Sequence, residues 1–434
     1  MEWLKSAKTR IALHQRLLLA GLPVICYILR AWPYIRHPQL FAEDGAEWLT
    51  FAHNHPFQSL YMPYEGFLHT FERVWADLLS LLPLAAAPFA YNLSALLIFS
   101  LLCYYLFSKR CNLFSSTYQM VFFSISLSLV DNIEDFYFNF SNSVFLLGMI
   151  GACLIVAKAA KIRTVRILET ILFGLMCFTL PFAWVYVLML AGRWWFEKKP
   201  QYIQLALAVV GGAIQLGVHL FANDRPQTIS ILDLHTRPAL LVFYNQMIVP
   251  AFRFVRIDIA TSSINRPSVY LMLVLSIGAC IALTLFAFRR ANTGLRYVIA
   301  FFAAMTIAVM SNPQITAKTA REGYTLLSIT VGGSRYWIFG ILLLFMVFAV
   351  ASEAMLTRKY RYYIISIFFA TGLLSAMRDH RLLINKHLVD YSQIYKEKIR
   401  LVNEPGAPVE IIENPNHLLI ILDRPKVPQP NTHR

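Results

Sequence analysis

A succession of long apolar runs limits this chain more than any other feature. Mostly apolar stretches fall at approximately 13–33, 89–108, 114–131, 143–160, 165–180, 182–196, 202–221, 268–288, 295–311, 335–355 and 360–377, separated by polar or basic tracts. All but one pair are long enough to cross the ~30 Å hydrocarbon core of a bilayer as helices. Of the 434 residues, 57% are hydrophobic and 15% charged. A soluble domain cannot cover that much apolar surface, so lipid must absorb it. The expected fold class is an all-α polytopic membrane protein with about eleven transmembrane helices.

The exceptional pair flanks Pro181. Each half has about 15 residues, roughly 23 Å at ~1.5 Å per residue, which is short of the core thickness. Short, proline-broken helices are tolerated where protein or a water-filled cavity satisfies the freed backbone, so the break hints at a cavity.

Charge sets the orientation. The formal net charge is +15. The basic tracts are Lys5, Lys8, Arg10 and Arg16; Lys109 and Arg110; Lys158, Lys161, Arg163 and Arg166; Arg193, Lys198 and Lys199; Arg289, Arg290 and Arg296; and Arg358, Lys359 and Arg361. With eleven spans and the N-terminus inside, every tract lands on the cytoplasmic side. No basic stripe lies outside these loops, so nucleic acid is not an expected partner. The first run follows a basic N-terminus without a small-residue cleavage pattern and reads as a retained signal anchor. The six cysteines have no metal-site spacing and, Cys111 apart, lie in apolar runs, so they read as packing residues.

This orientation divides the chain into a transmembrane domain, 1–377, and an outer tail, 378–434. The outer side receives a first loop, 34–88, containing "FAEDG", and then 131–143, 222–266 and 312–334. Within 67–82, Phe67, Phe71, Val74, Trp75, Leu78 and Leu82 share one helical face, and His69, Glu72, Arg73, Ala76 and Ser80 take the other. That pattern predicts a helix lying in the membrane interface. In the tail, turns at "EPGAP" and "NPN" bound "VEIIE" and "HLLIILD", which predicts a small β-hairpin.

Charges inside the spans are scarce. Arg30, Asp131 and Glu169 sit near ends, where they reach the loops. Ion-coupled transporters usually keep an ionisable group at the midplane, and this sequence shows none. Its polar chemistry is at the outer surface, which suits a reaction between a lipid-borne substrate and an outer acceptor. Such a reaction needs a carboxylate to take the acceptor's proton, cations to hold a departing phosphate, and tight positioning. Asp44 or Glu43 suits the base; the plainer alternative is a solvated acid at a helix start, or a partner for Arg36. Arg335, beside Tyr336 and Trp337 at the outer start of a span, suits the phosphate, with Lys318 and Arg321 in support. The plainer alternatives are an interface anchor in an aromatic belt and a solvated loop. Glu134, Asp135, Asn139 and Asn142 suit sugar hydroxyls, or are simply polar loop residues. His53, His55 and His69 lie near the acids in sequence without metal spacing, which leaves structural or acceptor-contact roles.

The order of these parts carries a resemblance. One span is followed by an outer loop opening on "FAEDG". An interfacial helix pair then ends in Pro83 and Pro88, a span runs to the basic turn "YYLFSKR", and the next exits into "DNIEDFYFNFSNS". A broken short pair and a late "SRYW" follow. This layout, over about residues 10–380, resembles the GT-C superfamily of integral-membrane glycosyltransferases, which use polyprenyl-phosphate sugars. It is most similar to bacterial enzymes that decorate surface polysaccharides, including the serotype-converting O-antigen glucosyltransferases.

The resemblance implies inverting transfer of a single sugar, such as glucose, from undecaprenyl phosphate to a polysaccharide such as the O-antigen of lipopolysaccharide. It implies a bacterial inner-membrane location with the active site and C-terminus periplasmic, and coupling to a lipid-sugar synthase and a flippase. The family's first-loop acid falls on Asp44 or Glu43, its late arginine on Arg335, and its second acidic region on Glu134 and Asp135. No obligatory metal or cofactor is expected, although some members use a divalent ion. Two other readings stay open: a lipid-linked glycan polymerase or ligase, and a non-enzymatic flippase for lipid-linked sugar.

Overall fold

A computed structural model of the chain describes residues 13–41, 43–64, 66–130, 139–179, 181–221, 243–251, 266–311, 334–383, 386–413 and 418–423. The principal helices are α1 (Leu13–Arg30), α2 (Trp32–Arg36), α3 (Thr50–Asn54), α4 (Thr70–Leu79), α5 (Ala87–Phe107), α6 (Thr117–Ser128), α7 (Ser143–Val156), α8 (Arg163–Cys177), α9 (Phe182–Glu197), α10 (Tyr202–Phe221), α11 (Pro267–Arg290), α12 (Thr293–Ser311), α13 (Ser334–Met355), α14 (Arg358–Leu383) and α15 (Lys386–Ile399). Each of the eleven apolar runs is therefore helical. Among the described residues, four helices are long and apolar enough to cross a membrane: Leu84–Phe107, Tyr202–Phe221, Pro267–Arg290 and Trp337–Met355. Shorter apolar helices occupy Ser143–Val156 and Thr293–Ala308.

Helix α13 is central and packs on α6, α7, α11 and α12. Its Phe339 ring meets Phe145 and Phe182 at 6.0 Å each, and Phe301 at 5.8 Å. Close backbone approach brings other helices together. A Cβ on Gly211 of α10 would lie 2.6 Å from the Cys177 carbonyl of α8. Small residues permit such contacts where lipid offers no hydrophobic drive to association. Between α7 and α9, the Tyr186 hydroxyl fills the space beside Gly151 and donates to the Gly148 carbonyl at 2.7 Å.

The break at Pro181 is satisfied by protein. Thr70 Oγ1 donates to the Phe178 carbonyl at 2.8 Å, and Gln215 Nε2 of α10 donates to the same oxygen. The His69 amide donates to the Thr179 carbonyl at 3.2 Å. The start of α4 thus takes the position where the sequence hinted at a cavity.

Helix α4 also corrects the interfacial expectation in one respect. Its polar face is turned into the protein: Glu72, Arg73, Ala76 and Asp77 are buried along with Phe71 of the apolar face, whereas Leu78, and Leu81 and Leu82 just past the helix end, are exposed. Burial of this face follows from the partners it finds in the first loop and at the α8 end. The tail hairpin forms as expected, with β1 (Val409–Glu413) antiparallel to β2 (Leu418–Leu422). Its β2 edge is held by the first loop. Asn54 Nδ2 donates to the Ile421 carbonyl at 2.8 Å, and the Asp423 amide donates to Asn54 Oδ1 at 2.9 Å. The Tyr395 hydroxyl of α15 donates to the Leu84 carbonyl at 2.8 Å. Tail and first loop therefore lie at one end of the helices.

Candidate functional site: a buried acid cluster under the first loop

The segment "EDGAEWLT" winds into a helical turn because its acids stand where a helix N-terminus favours negative charge. Over Asp44–Leu49 the turn widens to a π-helix, with Asp44 and Glu47 in its first turn. Such widened turns are frequent at functional sites. Thr50 Oγ1 donates to the Gly45 carbonyl at 2.9 Å and holds the widened turn shut.

Asp44 is fully buried. Its Oδ1 accepts from the Ser141 amide at 2.8 Å and the Ser141 hydroxyl at 2.6 Å, and its Oδ2 accepts from the Phe140 amide at 3.1 Å. Those amides are presented by a turn at the start of α7, in which Asn139 Oδ1 accepts from the Asn142 amide at 3.0 Å. A helix N-terminus is suited to holding an anion. One turn beyond Asp44, Trp48 Nε1 donates to the same Ser141 hydroxyl at 2.7 Å. Burial raises the Asp44 pKa to about 7, helped by the charge of Glu43 and opposed by the Ser141 and Phe140 hydrogen bonds. Both protonation states are thus populated near neutral pH, as a general base requires.

The buried face of α4 completes the cluster. Glu72 is 1% exposed and Arg73 2% exposed, close to full removal from water for two charged side chains. Burial raises the Glu72 pKa to about 8, with a contribution from the Asp44 charge, so Glu72 is mostly protonated at pH 7. Arg73 lies 5.2 Å over the Trp48 ring and 5.6 Å over Phe51. Its Nε and Nη1 have no hydrogen-bond partner among the described residues. His69 takes a left-handed conformation with φ 51°. Its ring sits 5.2 Å from Trp48 and 5.7 Å from Tyr64, with Nδ1 3.9 Å from Glu72 Oε2. Burial, and then the Arg73 charge, lowers the His69 pKa to about 3, so the imidazole is neutral. A strained residue held by its surroundings, beside two carboxyls of raised pKa, has the character of a site rather than of inert packing.

Of the residues read from sequence, Asp44, Glu43, His69, Asn139 and Asn142 come together here. Asp44 is neither solvated nor paired to Arg36, whose guanidinium instead lies 5.8 Å over Trp32. Glu43 is half-buried on the same turn. Asn139 and Asn142 are buried, and Asn139 shapes the turn that presents the amides to Asp44. Arg335 and Tyr336 occupy the first turn of α13. About one turn further along, Phe339 packs against the first turns of α7 and α9, which puts the start of α13 at the Asp44 end. Glu134, Asp135, Lys318 and Arg321 lie outside the described residues. His53 and His55 sit at the end of α3, where His53 Nε2 is 3.4 Å from the Asp423 carbonyl. Among the described residues no group of three or more His, Cys, Asp or Glu could hold a metal ion.

Sequence reasoning placed Glu72 and Arg73 on the polar face of an interfacial helix, and missed Trp48 and Ser141 as site residues. The available signal was the "HTFER" spacing, which sets His69, Glu72 and Arg73 on one narrow face. Searched against family models, curated proteins and solved structures, the chain has no match.

Proposed function

We propose that this chain is an integral-membrane glycosyltransferase of the GT-C type. Its eleven apolar helices cross the bacterial inner membrane with the Asp44 end in the periplasm. It transfers one hexose, such as glucose, from undecaprenyl phosphate to a surface polysaccharide such as O-antigen, with inversion at the anomeric carbon. The observation that carries the reading is Asp44: a buried carboxyl with a pKa of about 7, at the helix end that also holds the start of α13.

An acceptor hydroxyl arriving beside half-buried Ser141 replaces the Ser141 hydroxyl on Asp44 Oδ1. Asp44 takes its proton as the acceptor oxygen bonds to the anomeric carbon and the bond to the lipid phosphate breaks. The electron pair leaves with the phosphate, whose charge Arg335 offsets, with Lys318, Arg321 and Tyr336 as supporting contacts. Neutral Glu72 and His69, with Arg73, keep the surroundings polar without adding to the negative charge that Glu43 already places beside Asp44. Glu134, Asp135, Asn139 and Asn142 serve the acceptor or the sugar. The reaction needs no obligatory metal. A lipid-sugar synthase and a flippase supply the donor.

The test is transfer of labelled sugar from undecaprenyl phosphate to polysaccharide in proteoliposomes, by wild type, Asp44→Asn, Glu43→Gln and Arg335→Ala. Loss of about three orders of magnitude in turnover by Asp44→Asn, with donor binding kept, supports the assignment. The same loss in Glu43→Gln alone moves the base to Glu43. Near wild-type transfer by both acid variants sinks the mechanism. Movement of labelled lipid across the bilayer without transfer makes the chain a flippase, and products of many sugars make it a polymerase.

A further inference from the structure

At the opposite end of the helices from Asp44, the loops line an open cavity of about 650 Å³. Arg110, Lys158, Arg193 and Lys199 line it, with Glu197 the lining carboxylate. These four cations come from three separate basic tracts of the sequence. The fold brings them from the turn after α5, the turn after α7, the last turn of α9 and the link between α9 and α10.

Two are held in fixed geometry. The Arg110 guanidinium is clamped by Glu169 at 2.5 and 2.8 Å, and its Nε donates to the Lys158 carbonyl at 2.9 Å. Arg193 is 8% exposed and donates to the Ile155 carbonyl. Its Nε lies 3.5 Å from Glu197 and has no hydrogen-bond partner among the described residues. Lys199 is 3.0 Å from Glu197 and 65% exposed, and Lys158 is exposed. The first residues of α12, Thr293 and Gly294, also line the cavity, and the free amides of a helix start favour an anion.

Like charges drawn into one cavity repel unless an anion offsets them. Glu169, which clamps Arg110, and Glu197, which faces Arg193 and Lys199, leave two of the four positive charges without an offset. A lipid-facing protein with basic loops needs only that the loops be basic; it does not need them to converge on a shared cavity.

We propose that this cavity is a phosphate-binding site, on the side the basic tracts assign to the cytoplasm, separate from the Asp44 cluster and independent of the transferase reading. The recognised chemistry is a phosphate group, carried by an anionic lipid headgroup or free in solution. Arg110 and Arg193 supply fixed donors, and Lys158 and Lys199 supply mobile charges that close over the ligand.

The test uses the full chain as wild type and as Lys158→Ala/Lys199→Ala, two exposed positions whose loss leaves the core packing intact. In detergent, inorganic phosphate is titrated at constant ionic strength against chloride, reading the thermal midpoint. In nanodiscs of phosphatidylcholine with or without phosphatidylglycerol, native mass spectrometry reads retained lipid. Stabilisation by inorganic phosphate that weakens about tenfold in the double variant assigns a free-phosphate site. Retention of phosphatidylglycerol by wild type, lost in the double variant, assigns a headgroup site. Absence of both effects in wild type, or equal effects in the two proteins, overturns the proposal. The midpoint without phosphate should match between the two proteins, which separates loss of binding from loss of fold.

Discussion

The two ends of the helix bundle handle charge in opposite ways. At the Asp44 end, Asp44, Glu72 and Arg73 are buried and are met by backbone amides, a serine hydroxyl and aromatic rings. At the other end, cations are more numerous and more exposed, and they pair with carboxylates, as Arg110 does with Glu169 and Lys199 with Glu197. Buried charge is expensive unless every group around it is placed, and that expense is the usual mark of chemistry. Exposed charge costs little and suits orientation in the membrane or capture of an anion. The contrast sets the proposed proton-transfer site apart from the proposed anion-holding surface.

The largest effect that would sharpen this contrast is on turnover. Asp44→Asn should lower labelled-sugar transfer by about three orders of magnitude, while Lys161→Ala, in an exposed loop at the other end, should stay within about twofold of wild type in the same assay. A comparable fall in both would erase the difference between the ends.

Stability comes next. Arg73→Ala removes a buried cation from over Trp48 and Phe51 and should cost about 2 kcal/mol. Arg290→Ala, which removes an exposed cation 5.7 Å from the Phe286 ring, should cost less than about 1 kcal/mol. Denaturant unfolding in mixed micelles measures both, and equal costs would break the comparison.

A smaller effect concerns the tail. Asn54→Ala deletes both hydrogen bonds to the β2 edge and should cost about 1 kcal/mol. Limited proteolysis should then cut the 404–423 segment faster than in wild type. An unchanged cleavage rate would mean that the Asn54 bonds are dispensable and that the remaining contacts, including the Ile421 amide to Thr50 Oγ1 at 3.3 Å, hold the hairpin.

The finest test is pH. Asp44 rises from 3.8 to about 7 and Glu72 from 4.5 to about 8. A raised carboxyl pKa means the folded state binds the proton more tightly than the unfolded chain. The resulting stabilisation is complete below pH about 4 and is lost as pH climbs through 7 and 8. The thermal midpoint should therefore fall from pH 6 to pH 9 more steeply in wild type than in Asp44→Asn/Glu72→Gln. Transfer by wild type should rise over the lower part of that range as Asp44 ionises. A midpoint profile identical in wild type and double variant would remove the electrostatic account of the cluster.

Much of the fold was legible in the chain. Each of the eleven apolar runs became a helix, and "VEIIE" and "HLLIILD" became a hairpin, because periodicity and turn residues act over a few neighbours. The "ED" pair was legible as a candidate, but its chemistry was not. Asp44 meets Phe140 and Ser141, nearly a hundred residues away in the chain, and nothing in "FAEDG" names them. The amphipathic pattern of 67–82 was read correctly as two faces. Which face turned inward depended on the broken end of α8 and on Trp48, both distant in sequence. The basic tracts were legible one by one, while their convergence on one cavity was not.

The clearest division lies between α11 and α13. Their most apolar stretches have nearly the same mean hydropathy, 2.5 and 2.3, yet 17% of the first is buried and 78% of the second. The sequence by itself determined that both are apolar helices, because backbone hydrogen bonds must be satisfied within the segment when water is absent. Only the tertiary structure decided that α13 is the core and α11 the rim. Lipid tails and protein interior are equally apolar, so hydropathy does not distinguish them. The choice fell to packing, to Phe339 meeting four aromatic rings on α7, α9 and α12.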